Sequence, residues 1–325
     1  MLQGKELILA TRPYAKEVRT KSWLYTLSTI FFLAVVFAGI IFIPYLAIKL
    51  LLSVLAGLLL VRMFIIYHDH QHHSILTHSK MADLLMTAFG FYILSPTSIW
   101  KRSHDHHHKH NSKLFSASIG SYPIATRKKF LEMTSRQKFG YLAVRHPLTI
   151  GLGYFSMFIF GMCIASFVSN PRKHFDSLVA LILHVTASVC IFIFLGWQIW
   201  LCLFFLPFVV AFGLGAYLFY AQHNFPGVSF AENNEWAYEK AAMESSSYMM
   251  MNPVMAWLTG NIGYHHIHHL NSKIPFYRLP EVMKDFKELQ NCKRTSLNPK
   301  AVMACLRLKI WDQDKHQMVG LRDIR

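Results

Sequence analysis

Fifteen of the nineteen histidines in this chain lie in four short stretches. The first is HDHQHH at 68–73, with His78 just beyond it. The second is HDHHHKH at 104–110. The third is the single His223 in AQHNFPG, and the fourth is HHIHH at 265–269. The spacing within them suits metal binding. His68 and His72 stand at i and i+4; His104, His107 and His108 stand at i, i+3 and i+4; His265, His268 and His269 repeat the second pattern. On a helix such positions share one face, so their imidazoles can converge. With His223 the pattern selects nine ligands. That is more than one octahedral sphere holds, and two metals are the economical reading. His70, His73, His106, His110 and His266 fall off the pattern and are expected to back the ligands or face solvent.

The donor type narrows the metal. The five cysteines (Cys163, Cys190, Cys202, Cys292, Cys305) form no CxxC pair, which removes iron–sulfur and zinc-ribbon chemistry. No HExxH occurs, so the pattern of a zinc hydrolase is missing. Imidazole suits zinc, copper, iron or nickel. A two-metal, all-imidazole site beside apolar segments favours iron and oxygen chemistry, although ligand type alone leaves the others open. A single histidine tract is often no more than adventitious metal affinity. Here the weight rests on three boxes and His223 falling on one side of a membrane.

That membrane follows from composition. The 325 residues are 53% hydrophobic and only 15% charged, with mean hydropathy +0.29, against about 25% charge in a soluble domain. Lys and Arg outnumber Asp and Glu by 33 to 17, a net charge of +16. No apolar stretch follows Met1 directly, so a cleavable leader is not expected. A crossing helix needs about 20 apolar residues, and five runs, at 24–43, 45–66, 150–168, 178–197 and 199–221, come to about that length. The run 81–94 is too short and stops at Ser95-Pro96; it is expected to lie in the interface or dip into it. Five Lys/Arg precede the first run and ten occupy 101–148, whereas the joints at Ile43-Pro44-Tyr45 and Gly196-Trp197-Gln198 carry none. Positive residues stay cytoplasmic, so the joints are expected outside and both termini inside. A crossing at 150–168 would break this parity, and that run is expected not to cross. Arg62 and Lys49, inside the second run, are expected to snorkel to its ends. His184, seven residues into a run, is expected to be a satisfied polar contact. The fold class is thus an all-α integral membrane protein: four transmembrane helices, interfacial or re-entrant helices, and a cytoplasmic helical cap carrying the histidines, in one domain over 1–325.

The boxes resemble those of the membrane fatty acid desaturases, which have the forms HxxxH or HxxxxH, HxxHH and (H/Q)xxHH. Their surroundings, WKRSHDHHHKHN, QHNFPG and GNIGYHHIHHLNSKIPFYRLP, agree over roughly residues 40–315 and look closest to bacterial acyl-lipid desaturases. The resemblance implies a non-heme di-iron centre that uses dioxygen and two electrons to remove two hydrogens from adjacent methylenes of a fatty acyl chain. Carried over from the animal acyl-CoA branch, His68, His104, His108 and His268 would bind one iron. His72, His107, His223, His265 and His269 would bind the other. That branch has an Asn one turn before the equivalent of His223, where Phe219 stands here, and a first box one residue longer. The four-ligand iron is therefore expected to be completed differently. Asp69, Asp105, Asn111, Asn224, Glu244 and Asn271 are near enough in sequence to orient ligands, and Asp69 and Asn271 are the two singled out.

The chain carries no HPGG heme segment, ferredoxin cysteines or GxGxxG, so electrons are expected from a separate ferredoxin-like donor with its reductase. The basic stretch 101–148 and the C-terminal Lys293, Arg294, Lys300, Arg307 and Lys309 suit either an acidic donor or anionic lipid. No nucleic-acid partner is expected, and the expected setting is a bacterial inner membrane. Two other readings compete. A hydroxylase or ketolase acting on lipid, carotenoid or alkane would use the same centre. A metal transporter would place its ligands near the bilayer midplane, whereas these lie at the ends of the runs.

Overall fold

The computed structural model describes residues 2, 4–114, 120–232 and 234–324. Seven helices form the framework of the membrane layer and the histidine end: α1 (Arg19–Phe42), α2 (Leu46–Gln71), α3 (Lys80–Tyr92), α4 (Thr97–His110), α5 (Phe175–Ile199), α6 (Leu206–Ala221) and α7 (His265–Leu270). Among the described residues three helical stretches are long and apolar enough to cross a membrane: Arg19–Phe42, Leu46–Gln71 and Phe175–Ala221. The chain is an integral membrane protein.

Pro44 ends α1 and, with Ile43 and Tyr45 extended on either side, turns the chain into α2. The 47-residue stretch 175–221 is not one rod. Gly196 sits at φ 81°, ψ 167°, a conformation open to glycine alone, and the chain folds back there. The Trp200 indole N–H donates to Ser188 Oγ at 2.8 Å, and the His184 ring lies 4.7 Å from both Phe204 and Phe208. In a straight helix residues 188 and 200 would be about 18 Å apart. The π-helical turns Trp200–Phe205 then lead into α6.

Helix α2 is the axis of the molecule: 61% of its apolar stretch is buried, against 28% for α1 and 11% for 175–221. Small residues bring α6 onto it. A Cβ at Gly57 would stand 2.6 Å from Val210 Cβ, and Ser53 Oγ donates to the Cys202 carbonyl at 2.6 Å. Close approach through small residues is how helices pack where lipid removes the hydrophobic drive.

Helices α3 and α4 meet at 93° across the break at Ser95-Pro96, where the Tyr67 hydroxyl donates to the Ser95 carbonyl at 2.7 Å. The later apolar segment runs through Pro147–Gly151, a π-helix at Tyr154–Ala165 and Ser166–Ser169. The 16 residues 154–169 reach at most about 24 Å, less than the hydrocarbon thickness of about 30 Å. His184 is held by the Tyr154 hydroxyl at 2.6 Å, so it has a polar partner within the apolar layer.

Residues beyond Ala221 close over the histidine end, and they are not wholly helical. Strand β1 (Tyr248–Met250) pairs in parallel with β2 (Arg294–Ser296), and β3 (Ile310–Asp312) pairs antiparallel with β4 (Gln317–Val319). These four three-residue strands are local pairings in a mostly helical chain, and the structure is consistent with the all-α class. Three-residue strands are too short to show an alternating pattern. The β3–β4 hairpin is set by its turn, where Asp312 Oδ1 accepts the Asp314 and Lys315 N–H groups.

Arg62 does not snorkel. It is 2% exposed. Its Nε donates to Thr29 Oγ1 at 3.1 Å, its Nη1 donates to the Trp257 carbonyl, and its guanidinium lies 4.0 Å from the Trp257 ring centre. Lys49 is buried as well. Arg62 thereby ties α1, α2 and the cap together. Arg62→Met is expected to cost about 2 kcal/mol, read as a lowered denaturant midpoint in detergent micelles. Arg62→Lys should recover less than half, since an ammonium lacks the planar fork. A midpoint equal to wild type in both variants would show that Arg62 does not hold the cap.

Candidate metal centre

The nine patterned histidines come from four places in the fold. His68 lies in the last turn of α2 and His72 is its C-cap residue; His104, His107 and His108 lie on α4; His223 follows α6 by two residues; His265, His268 and His269 lie on α7. Their ring nitrogens converge in two groups. His68, His72, His104, His108 and His268 form one, and His107, His223, His265 and His269 form the other. Within each group, one nitrogen from every ring lies within 4.8 Å of all the rest. No other residue joins either group among the described residues.

The converging atoms are all Nε2. In the first group His104 Nε2 is 2.9 Å from that of His68, 3.0 Å from His72 and 3.1 Å from His108, and His268 is 3.1 Å from His108. In the second, His107 and His223 are 3.0 Å apart, His223 and His265 2.8 Å, and His265 and His269 3.2 Å. The groups share a wall, where the His108 and His269 rings stack with centres 4.3 Å apart. Bare nitrogens this close repel one another, and a shared cation turns that repulsion into coordination. Neighbouring donors about 3.0 Å apart match an octahedral sphere with metal–nitrogen bonds of about 2.1 Å. The donor set fits a metal.

Protonation agrees. Burial pushes His72, His265, His268 and His269 well below the ordinary histidine value, with neighbouring rings adding to the effect. Burial likewise lowers His223 to about 4. Neutral imidazoles keep a lone pair to give. The opposite ring nitrogens decide which atom carries it. His223 Nδ1 faces the Ser245 carbonyl at 3.0 Å, an acceptor only, so Nδ1 holds the proton and Nε2 is bare. His68 Nδ1 lies 3.1 Å from Asp69 Oδ1, and the other Asp69 oxygen accepts the Phe276 N–H at 2.7 Å. Such outer partners fix tautomer and ring orientation.

Two expectations change. The distribution of ligands is five and four, but His72 stands in the group of His68 rather than with His107, and the first group is the larger. The cause is helical rotation. Residues four apart differ by about 40° around the axis, and five apart by about 140°. The shorter first box keeps His72 on the face of His68, where a longer one would swing it away. The second correction is Asn271. Its Nδ2 donates to Thr11 Oγ1 at 3.1 Å and its Oδ1 accepts the Lys273 N–H at 3.2 Å. It braces the N-terminal segment and orients none of the nine rings.

The remaining nearby residues have other work. Asp105 pairs with Lys101 at 2.8 Å, Asn111 donates to Ser246 Oγ at 2.9 Å, and Asn224 accepts from Arg145 at 2.6 Å. Of the histidines off the pattern, His70 meets Asp83 and His266 faces the Leu289 carbonyl. His106 and His110 stack on each other, and His73 is exposed. Sequence reasoning missed Ser121, whose Oγ is 2.6 Å from His107 Nδ1. It also missed Trp100, stacked on His104 with ring centres 4.6 Å apart. Trp100 stands one turn before His104 on α4 and was open to the same spacing argument. Ser121 lies in an irregular segment, and nothing in its local sequence points to His107. Phe219 packs 5.1 Å from the His107 ring, against the four-membered group.

A cavity of about 660 Å3 runs from these rings into the apolar layer. His68 and His104 of the first group and His265 of the second form part of its wall. The stripe Leu60, Val61, Phe64 and Ile65 of α2 faces Ala211, Phe212, Gly215 and Leu218 of α6 along it.

Comparison with known proteins gives a consistent picture. The family model for fatty acid desaturases matches residues 44–297. The chain is 31% identical to a fatty acid desaturase of Bacillus subtilis, with 99% of this chain and 92% of that protein aligned. It is 21% identical to the sn-1 oleoyl-lipid 12-desaturase of a Synechocystis species over 83% of this chain and 76% of that one. It is 22% identical to the Delta(12)-fatty-acid desaturase of Arabidopsis thaliana over 72% and 64%.

Proposed function

The chain belongs to the fatty acid desaturase family and is an oxidoreductase, and on that premise we propose that it desaturates a lipid-linked fatty acyl chain at a centre of two non-heme irons held by the nine histidines. Dioxygen accepts two electrons from the acyl chain and two from a separate ferredoxin-like donor with its reductase. One hydrogen leaves each of two neighbouring methylenes, and with two further protons both oxygen atoms end as water. In this reading the spans are four, α1, α2, α5 and α6, and α3 and the segment 150–168 do not cross. Both termini and the histidines face the cytoplasm of a bacterial inner membrane, because the Lys/Arg-rich segments lie at that end.

The observation that carries the reading is the cavity that touches both histidine groups and is otherwise mostly apolar. A methylene has no acidic proton, so no side-chain base can start the reaction; iron bound by the two groups supplies the oxidising power. The chain's own residues do the rest. His68, His72, His104, His108 and His268 would hold one ion, and His107, His223, His265 and His269 the other. Asp69 and the Ser245 carbonyl keep the protons of His68 and His223 on Nδ1. Trp100 fixes the His104 ring by stacking, and Ser121 steadies His107. Leu60, Phe64, Phe212 and Leu218 exclude water and align the chain, so that the carbon pair passing the histidines is set by how far the chain can slide.

Fatty acid profiling tests this. The protein is expressed with a ferredoxin and its reductase in a bacterium of simple lipid composition, beside His107→Ala and His268→Ala. Wild type is expected to add an unsaturated acid that both variants lack. A hydroxy acid in its place would reassign the chemistry to oxygen insertion. An unchanged profile with the donor present would sink the acyl-chain reading.

A further inference from the structure

Resting on that reading, we propose that the acyl chain enters the cavity sideways from the hydrocarbon of the membrane, between Val144 and Phe160–Gly161. The substrate is then a chain still attached to a membrane glycerolipid. The cavity that touches His68, His104 and His265 also has Val144, Phe160 and Gly161 in its wall. These three are exposed on the outside of the molecule, Val144 by 43% and Phe160 by 60%. The wall that bounds the cavity is therefore also the outer surface.

That surface is apolar. Residues 147–169 contain no charged side chain, and Leu148, Leu152, Phe155 and Val168 of the same segment are all exposed. Contiguous apolar surface of this kind marks contact with lipid or another apolar partner. A mouth facing water would leave it uncovered, and hydrocarbon covers it. Glycine thins the wall at the lip: a Cβ at Gly161 would meet only the Ser156 carbonyl, at 3.5 Å. Gly215, another cavity-lining residue, would place its Cβ in open space, with nothing within 4 Å. A large side chain at Gly161 would fill the opening with little displacement of its neighbours.

The helix Ser135–Val144 ends at the lip. It carries an exposed Arg136, and Lys128 and Lys129 just before it are exposed too. Cations beside an apolar opening sit where a glycerolipid has its phosphate. A chain can then slip inward without leaving the bilayer.

The test uses the full-length protein in vesicles of phosphatidylethanolamine and phosphatidylglycerol, the latter bearing a diazirine partway along one acyl chain. After photolysis the crosslinked peptides are mapped. Wild type is expected to be labelled at cavity residues such as Phe64 or Phe219. Gly161→Trp and Val144→Trp, made separately, should each lower that labelling by about tenfold or more by filling the opening. Labelling of Phe194, exposed on the outer face of α5, should stay unchanged and reports that each variant is folded. Cavity labelling at the wild-type level in both variants would overturn the proposal. So would cavity labelling by a water-soluble diazirine acyl thioester that neither plug reduces, since that chain arrives from the aqueous side. Labelling needs no turnover. A protein that labels as expected yet makes no unsaturated acid would therefore defeat the proposed activity and leave the lateral route standing. One that desaturates with both plugs in place would defeat the route alone.

Discussion

His223→Ala and His107→Ala are each expected to cost the protein one of its two metals, while His68→Ala and His72→Ala keep both, although all four variants lose desaturation. The asymmetry follows from the five-and-four grouping of the rings. Removing His107 or His223 leaves three imidazoles in the smaller group, one short of a closed tetrahedral set. Removing His68 or His72 leaves four in the larger group, enough to close one. Metal content after mild chelation, measured by plasma mass spectrometry, should then read about one ion per chain in the first pair and about two in the second. The loss of affinity in the first pair should exceed the roughly 10- to 100-fold that an outer partner is worth. The distribution carried over from the animal acyl-CoA branch predicts the reverse for three of these variants, those at His107, His223 and His68. With His72 beside His107, removing His223 would leave four ligands and removing His68 only three. A His223→Ala protein that keeps two metals while His68→Ala keeps one would overturn the grouping.

The residue types and spacings that select nine rings from nineteen are present in the sequence, because i, i+3 and i+4 share a helical face whatever the tertiary structure. How the nine divide is harder to read, since it depends on the phase of each helix against the others. His72 shows this: one residue more in the first box would rotate it by about 100°. The reversal near Gly196 is legible as an uncharged Gly-Trp-Gln joint between apolar runs. Arg62 is not, since a lone arginine in an apolar run looks like one that reaches for water, and only the approach of Trp257 from the cap shows otherwise. Asn271 and Asp69 differ for a similar reason. Both lie beside a histidine box in sequence. Asp69 lies in the last turn of α2, where its carboxylate meets both His68 and the Phe276 N–H, whereas Asn271 caps α7 at φ −150°, ψ 88°, and turns toward Thr11. Ser121 meets His107 from 14 residues further along the chain, a contact no local pattern encodes.

Asp69 carries the second large effect, because one buried carboxylate serves two tasks. It is 1% exposed. One oxygen faces His68 Nδ1 and the other accepts the N–H of Phe276, so it couples the first histidine box to the segment after the third. Asp69→Ala is expected to lower metal affinity at the five-membered group by about 10- to 100-fold. It should also destabilise the fold by about 1–3 kcal/mol, since the Phe276 N–H loses its acceptor. Asp69→Asn separates the two tasks. Its amide oxygen can still accept from Phe276, which leaves the amide NH2 facing His68. An N–H there favours the tautomer with Nδ1 bare and the proton on Nε2, the nitrogen that points at the other four rings. The asparagine variant is therefore expected to unfold close to the wild-type midpoint and, like His68→Ala, to keep both metals under mild chelation, yet to release one of them faster than wild type, at the rate of the alanine variant, and to lose activity in step. The four-membered group, which Asp69 does not touch, should keep its ion in both. Chelator-release kinetics read beside denaturant unfolding decide the matter. An asparagine variant that releases both metals as slowly as wild type does would show that the carboxylate braces the cap and leaves the His68 tautomer to other contacts.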